Sequence, residues 1–134
     1  MKDGRTVKRR ASARSADFAG FLERFDATLV VVRGKGAGDE HALERPKLLL
    51  GRGPGVDVAF DDAEMSRQHV AIEFTGGGFR LCDLGSTNGT LVNGTLVRAR
   101  ELANGDRIEL GQHVLQLRLE QHETEPKVYC VPDA

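Results

Sequence analysis

Three short polar segments hold the residue types that could do chemistry. They are Gly51-Arg52, Ser66-Arg67-Gln68-His69, and the run Ser86-Thr87-Asn88-Gly89-Thr90. Each lies beside an apolar run. The first follows Leu48-Leu49-Leu50, the second precedes Val70, and the third follows Asp83-Leu84. If the three converge, they supply two guanidinium groups, several hydroxyls and a set of turn N–H groups. No metal-ligand cluster and no evident general base accompanies them. Such a set suits a bound, unreacting, doubly charged tetrahedral anion.

Other chemistry fits less well. Ser66, His69 and Asp83 are the residue types of a hydrolase triad, but the serine lacks a G-x-S-x-G elbow. Ser66 and His69 also bracket the start of a strand and need not face each other, so the chain is read as no enzyme. The loop at Asp83 lacks the alternating acidic ligands of a calcium loop, and Asn88 stands where that loop needs glycine. His41, His69, His113 and His122 show no metal-ligand spacing. Neither a metal nor a cofactor is expected.

The elements that must position these segments are mostly strands. Leu29–Val32 and Leu48–Leu50 are apolar runs separated by a Gly-rich, charged connection over 34–45. Val56, Val58 and Phe60 alternate with polar or small residues, as do Val70, Ile72 and Phe74 and later Leu115, Leu117 and Leu119. Gly76-Gly77-Gly78 breaks the chain before Phe79 and Leu81. Asn93-Gly94 separates Leu91-Val92 from Leu96-Val97, and Asn104-Gly105 leads into Ile108 and Leu110. Asn-Gly is the strongest short-range signal for a hairpin turn, and both of these pairs are read as hairpin turns. Short strands with turns every eight to twelve residues predict an antiparallel β-sandwich, whose loops cluster at its two ends. No long amphipathic helix alternates with the strands, which disfavours an α/β sheet.

Composition bounds the rest. The 134 residues provide one domain with a core plus tails, with 40% hydrophobic residues and a formal net charge of −1. That charge balance argues against nucleic-acid binding. Residues 1–26 hold seven Lys/Arg against four Asp/Glu, and residues 120–134 hold four Asp/Glu against Lys127. The predicted organisation is therefore a basic, partly disordered extension over 1–26, a β-sandwich over 27–119 and an acidic tail over 120–134. Within the extension, Phe18, Phe21, Leu22 and Phe25 fall at i, i+3, i+4 and i+7, which predicts a short helix over 17–25 docked on an edge of the domain. Cys82 and Cys130 are the only cysteines and imply no disulfide framework, so the cytoplasm is the default compartment. No apolar run approaches 18 residues, and Arg9-Arg10 lacks the apolar region of a twin-arginine signal, so no membrane association is expected.

Taken in order, the motifs resemble the signature of a forkhead-associated (FHA) domain. They run Gly51-Arg52, Ser66-Arg67-x-His69, Asp83-Leu84-x-Ser86-x-Asn88-Gly89-Thr90, Val92-Asn93-Gly94, then Leu102-x-x-Gly105-Asp106-x-Ile108-x-Leu110-Gly111. The likeness covers roughly residues 27–119. It implies an all-β, FHA/SMAD-like sandwich whose end loops bind phosphothreonine in a partner protein linked to a Ser/Thr kinase. It assigns Arg52, Ser66, Arg67 and Thr87 to the phosphate and Asn88 to the peptide backbone. Gly51, His69, Ser86 and Gly89 would support the site, with His69 bracing the loops. The alternative is a module of the same fold that binds an unphosphorylated partner. Two finer expectations concern the surroundings. Glu64 would select against acidic residues following the phosphothreonine. Thr6, near the basophilic kinase-like site Arg9-Arg10-Ala11-Ser12, would when phosphorylated fold back into the domain's own pocket.

Overall fold

Alternating apolar residues pair into two sheets that share one core. The computed structural model describes residues 17–122. A helix, α1, covers 17–24. Eleven strands follow: β1 (Phe25–Arg33), β2 (Glu40–Ala42), β3 (Lys47–Gly51), β4 (Val58–Ala59), β5 (Val70–Thr75), β6 (Gly78–Asp83), β7 (Thr90–Val92), β8 (Thr95–Val97), β9 (Ala99–Leu102), β10 (Arg107–Leu110) and β11 (His113–Gln121). One sheet has the order β2-β1-β11-β10-β7-β8, the other β4-β3-β5-β6-β9. Neither closes into a barrel. The sandwich expected from the sequence is the observed fold, with one departure: β3 and β4 pair in parallel. The connection between them is only residues 52–57, and Asp57 closes it by donating its N–H to the Leu49 carbonyl and accepting the Leu49 N–H.

Period-2 patterning places the core. Leu29 and Val31 of β1, Leu48 and Leu50 of β3, Val70 and Ile72 of β5, Leu81 of β6, Ile108 and Leu110 of β10, and Leu115 and Leu117 of β11 are all buried between the sheets. The longest pairing, β1 with β11, runs antiparallel from Phe25 opposite Gln121 to Arg33 opposite Val114.

Two strands have no alternation to announce them. β2 lies inside the connection over 34–45 and β9 reads Ala-Arg-Glu-Leu. Both are edge strands, where a largely polar sequence is compatible with pairing on one side only. The turns also differ in kind. Asn93 and Gly94 both have positive φ, +52° and +85°, as a two-residue type I′ hairpin requires. Asn104-Gly105 instead carries the chain from β9 in one sheet to β10 in the other, so the hairpin expected there is an inter-sheet corner. Asn104 Oδ1 accepts the Leu119 N–H and fixes that corner on β11.

Helix α1 covers the end of the core. Phe18 and Phe21 are buried, and Leu22 and Phe25 pack against them. The Phe21 ring stacks on Phe25 at 5.0 Å and meets Phe74 at 5.0 Å and Phe79 edge-on at 5.4 Å. A helix of this length cannot stand alone, so these rings hold it. Phe25 itself opens β1, and the helical pattern therefore stops one residue short of the expected 17–25. Thr6, Ser12 and the acidic tail from 123 onward lie outside the described residues. Phe21→Ala is expected to cost about 3–5 kcal/mol of stability, measured as a lowered urea midpoint.

Candidate functional site

Three loops meet at one end of the sandwich, each leaving or entering a strand of the β4-β3-β5-β6-β9 sheet. The first is 52–57, after β3. The second is 60–69, before β5. The third, 84–89, crosses from β6 to β7. Backbone bonds zip the first two together: Arg52 N–H donates to the Ser66 carbonyl at 3.0 Å and Gly53 N–H to the Arg67 carbonyl at 3.2 Å. Gly51 makes that approach feasible, because a Cβ there would lie 2.0 Å from the Arg67 carbonyl oxygen. The glycine is required by proximity and not by its backbone angle.

His69 joins the second loop to the third. It is completely buried. Its Nδ1 accepts the Ser66 N–H at 3.0 Å, and its Nε2–H donates to the Gly89 carbonyl at 2.8 Å. These bonds set its tautomer. They also leave no ring nitrogen for the Ser66 hydroxyl, so Ser66, His69 and Asp83 do not form a nucleophile–base relay. Through these two bonds His69 connects the 60–69 loop to the 84–89 loop.

Asp83 shapes the third loop. Its Oδ1 accepts the Gly85 and Ser86 N–H groups, both at 2.8 Å, and its Oδ2 accepts the Ser86 and Thr90 hydroxyls, both at 2.6 Å. Ser86 Oγ in turn accepts the Gly89 N–H. This is an Asx-type turn extended into a network. Partial burial pushes the Asp83 carboxyl upward. The hydroxyls of Ser86 and Thr90 and the two N–H groups outweigh it and hold the group below the usual carboxylate range.

The residues expected to touch a ligand are brought together on this frame. Arg52 Nε donates to the Met65 carbonyl at 3.0 Å, which fixes the guanidinium while its two terminal amino groups take no partner among the described residues. Ser66 Oγ accepts the Thr87 N–H at 3.0 Å, so the Ser66 hydroxyl proton is left to be donated elsewhere. Asn88 Nδ2 donates to the Glu64 carbonyl at 2.9 Å, leaving Oδ1 as an acceptor. The Arg67 stem lies along Gly53, the residue after Arg52. Thr87 and Asn88 are exposed at the rim. The linked loops form a cup that leaves the Arg52 amino groups, the Ser66 hydroxyl and the Asn88 amide oxygen unspent, with Arg67 next to Ser66 in the same loop. It offers fork-shaped, charge-assisted hydrogen bonding to a tetrahedral dianion. Among the described residues no group of three or more His, Cys, Asp or Glu is placed to hold a metal ion, and no helix is long and apolar enough to cross a membrane.

The Asp83-x-x-Ser86 spacing is the sequence mark of the third loop's turn. The Glu64 and Met65 carbonyls have no such mark, since backbone acceptors do not depend on residue type.

Two sheets with recognition loops gathered at one end define a β-sandwich binding domain. The FHA domain family model matches residues 48–111. An FHA domain solved in an analysis of phosphothreonine-dependent FHA domain interactions is 35% identical, with a TM-score of 0.64, covering 69% of this chain and 95% of that one. The glycogen accumulation regulator GarA of Mycolicibacterium smegmatis is 43% identical over 86 residues, 64% of this chain and 54% of that protein. The oxoglutarate dehydrogenase inhibitor of Corynebacterium efficiens is 39% identical over 101 residues, 75% of this chain and 71% of that protein. The chain belongs to the FHA-domain family. It spans between about half and seven-tenths of the length of these curated relatives.

The lowered Asp83 pKa gives a signed expectation. Its bonds contribute fully above the unfolded carboxylate value of about 3.9 and are lost as pH falls through the lower folded value. Asp83→Asn should therefore be less stable than wild type by about 1–3 kcal/mol at pH 7. The difference should close as pH falls below about 4, read from denaturant midpoints across a pH series.

Proposed function

We propose that this domain is a phosphothreonine-dependent binding module, a non-catalytic adaptor that captures a partner phosphorylated by a Ser/Thr protein kinase in the cytoplasm. One observation carries the reading. In the cup, each of Arg52, Ser66 and Asn88 is fixed by one hydrogen bond while keeping a second polar function unspent. A phosphothreonine brings about −1.5 to −2 charges and three strong acceptor oxygens. The Arg52 amino groups, the Ser66 hydroxyl and the Thr87 side chain are assigned to those oxygens, with Arg67 adding charge beside them. Asn88 is assigned to the peptide backbone next to the phosphate. Gly51, His69, Ser86 and Gly89 hold the loops.

Charge-assisted bonds of about 1.5–3 kcal/mol each, less the cost of ordering a flexible peptide, give a Kd of about micromolar. The names of the relatives, a regulator and an inhibitor, support a role exerted by binding. Calorimetric titration with a phosphothreonine peptide, chosen from an oriented library, tests the assignment. Wild type should bind, phosphatase-treated peptide should not, and Arg52→Ala should weaken binding about a hundredfold or more. Equal binding of the treated peptide would favour the alternative, an assembly module for an unphosphorylated surface.

Glu64 gives the cup a preference. Its carbonyl holds Asn88, and its carboxylate stands 3.3 Å from Gln112 Nε2 at the exposed rim. We assign it to discrimination against acidic residues following the phosphothreonine. Glu64→Lys should shift a phosphopeptide-array profile toward acidic residues at those positions; an unchanged profile would remove the assignment.

A further inference from the structure

We propose that His113, through its buried contact with Asp62, is a positioning residue for the ligand-binding cup. The inference rests on the cup being the phosphopeptide site. It begins from a polar cluster that lies behind the cup and that no binding role uses.

Asp62 and His113 are two of the four buried polar or charged residues among those described, with relative exposures of 4% and 2%. They stand 51 residues apart in sequence, yet His113 Nδ1 lies 2.7 Å from Asp62 Oδ2. His113 Nε2 lies 2.9 Å from the Lys35 carbonyl oxygen. Asp62 also receives two N–H groups, that of Gln112 on Oδ2 at 2.7 Å and that of Glu64 on Oδ1 at 2.9 Å. Burial opposes the charge on Asp62, but the His113 ring and these two N–H groups outweigh it, and the carboxyl is held below its usual range. Both His113 ring nitrogens face oxygen atoms, so the ring is held at both ends.

The surrounding backbone is shaped for this pair. Gly111 has φ +58°, and a Cβ there would lie 2.7 Å from Asp62 Oδ2. Gly34 has φ +106°, and a Cβ there would lie 2.8 Å from His113 Cδ2. The Phe60 ring packs on the imidazole at 5.0 Å.

The consequence runs from Asp62 into the cup. The Asp62 carboxylate takes the Glu64 N–H and the Asp62 carbonyl takes the Met65 N–H. These bonds fix a tight turn over residues 62–65. The carbonyls of the same two residues hold the ligand-binding side chains: that of Glu64 accepts from Asn88 and that of Met65 accepts from Arg52. Removing His113 leaves the buried Asp62 carboxylate without its ring partner. The turn must then loosen or move to hydrate it, and Arg52 and Asn88 lose their anchor. No ligand contact is deleted, so any loss of affinity reports positioning.

The test compares His113→Gln with Ile72→Val, a core change on β5 away from the cup, at matched loss of thermal stability. His113→Gln should bind the phosphothreonine peptide about tenfold more weakly and shift the Asn88 side-chain amide resonance in the unliganded protein. Ile72→Val should change neither. Asp62→Asn, which keeps the side-chain shape, replaces His113→Gln if that variant does not fold, with the same expected result. Wild-type affinity and an unmoved Asn88 resonance in the folded variant would overturn the inference, as would equal weakening by Ile72→Val. Failure of the wild type to bind any phosphopeptide would instead overturn the cup assignment, while the Asn88 resonance would still decide whether His113 positions it.

Discussion

Everything at the binding end depends on one buried ring. His69 takes an N–H from Ser66 with one nitrogen and gives its own to the Gly89 carbonyl with the other. Those two bonds tie the loop carrying Ser66 to the loop carrying Thr87 and Asn88. A fully buried imidazole with both nitrogens satisfied is a rigid rivet, because either group left unpaired would carry a desolvation penalty of about 1–3 kcal/mol. The loops are therefore fixed before any ligand arrives. A flexible set of the same side chains would lose binding free energy to their ordering.

The design separates holding from touching. Asp83 organises one loop internally, His69 links it to the next, and the Gly51 approach fastens the third. Each of these residues is occupied by protein. Arg52, Ser66 and Asn88 are occupied by protein on one side only. Under the proposed assignment, that asymmetry is what leaves their second polar functions to a phosphate.

Much of this was legible in the sequence, and the limits are physical. Strands such as β5, β10 and β11 bury one face against the partner sheet, so alternation betrays them. Edge strands β2 and β9 pair on one side and carry largely polar residues, so they read as loop. The residues proposed for the cup stand in an ordered set of short motifs, because Arg52, Ser66 and Asn88 are assigned through their side chains. The Asp62–His113 pair was not. Its members are far apart along the chain, and His113 opens a strand whose apolar neighbours, Val114 and Leu115, dominate the pattern. Asn104-Gly105 was legible as a turn, but which sheets it joins is a property of the whole topology.

The pairing of β1 with β11 has a further architectural result. Phe25 lies opposite Gln121, and the His122 N–H donates to the Arg24 carbonyl, so the sandwich is entered and left at a single pole. Lys35, just past the other end of β1, sits behind the cup on His113. Eight residue steps of strand separate Phe25 from Arg33, about 26 Å. Sequence flanking the α1-capped sandwich can thus be lengthened, exchanged or grafted into a loop of a host protein while the opposite pole stays open.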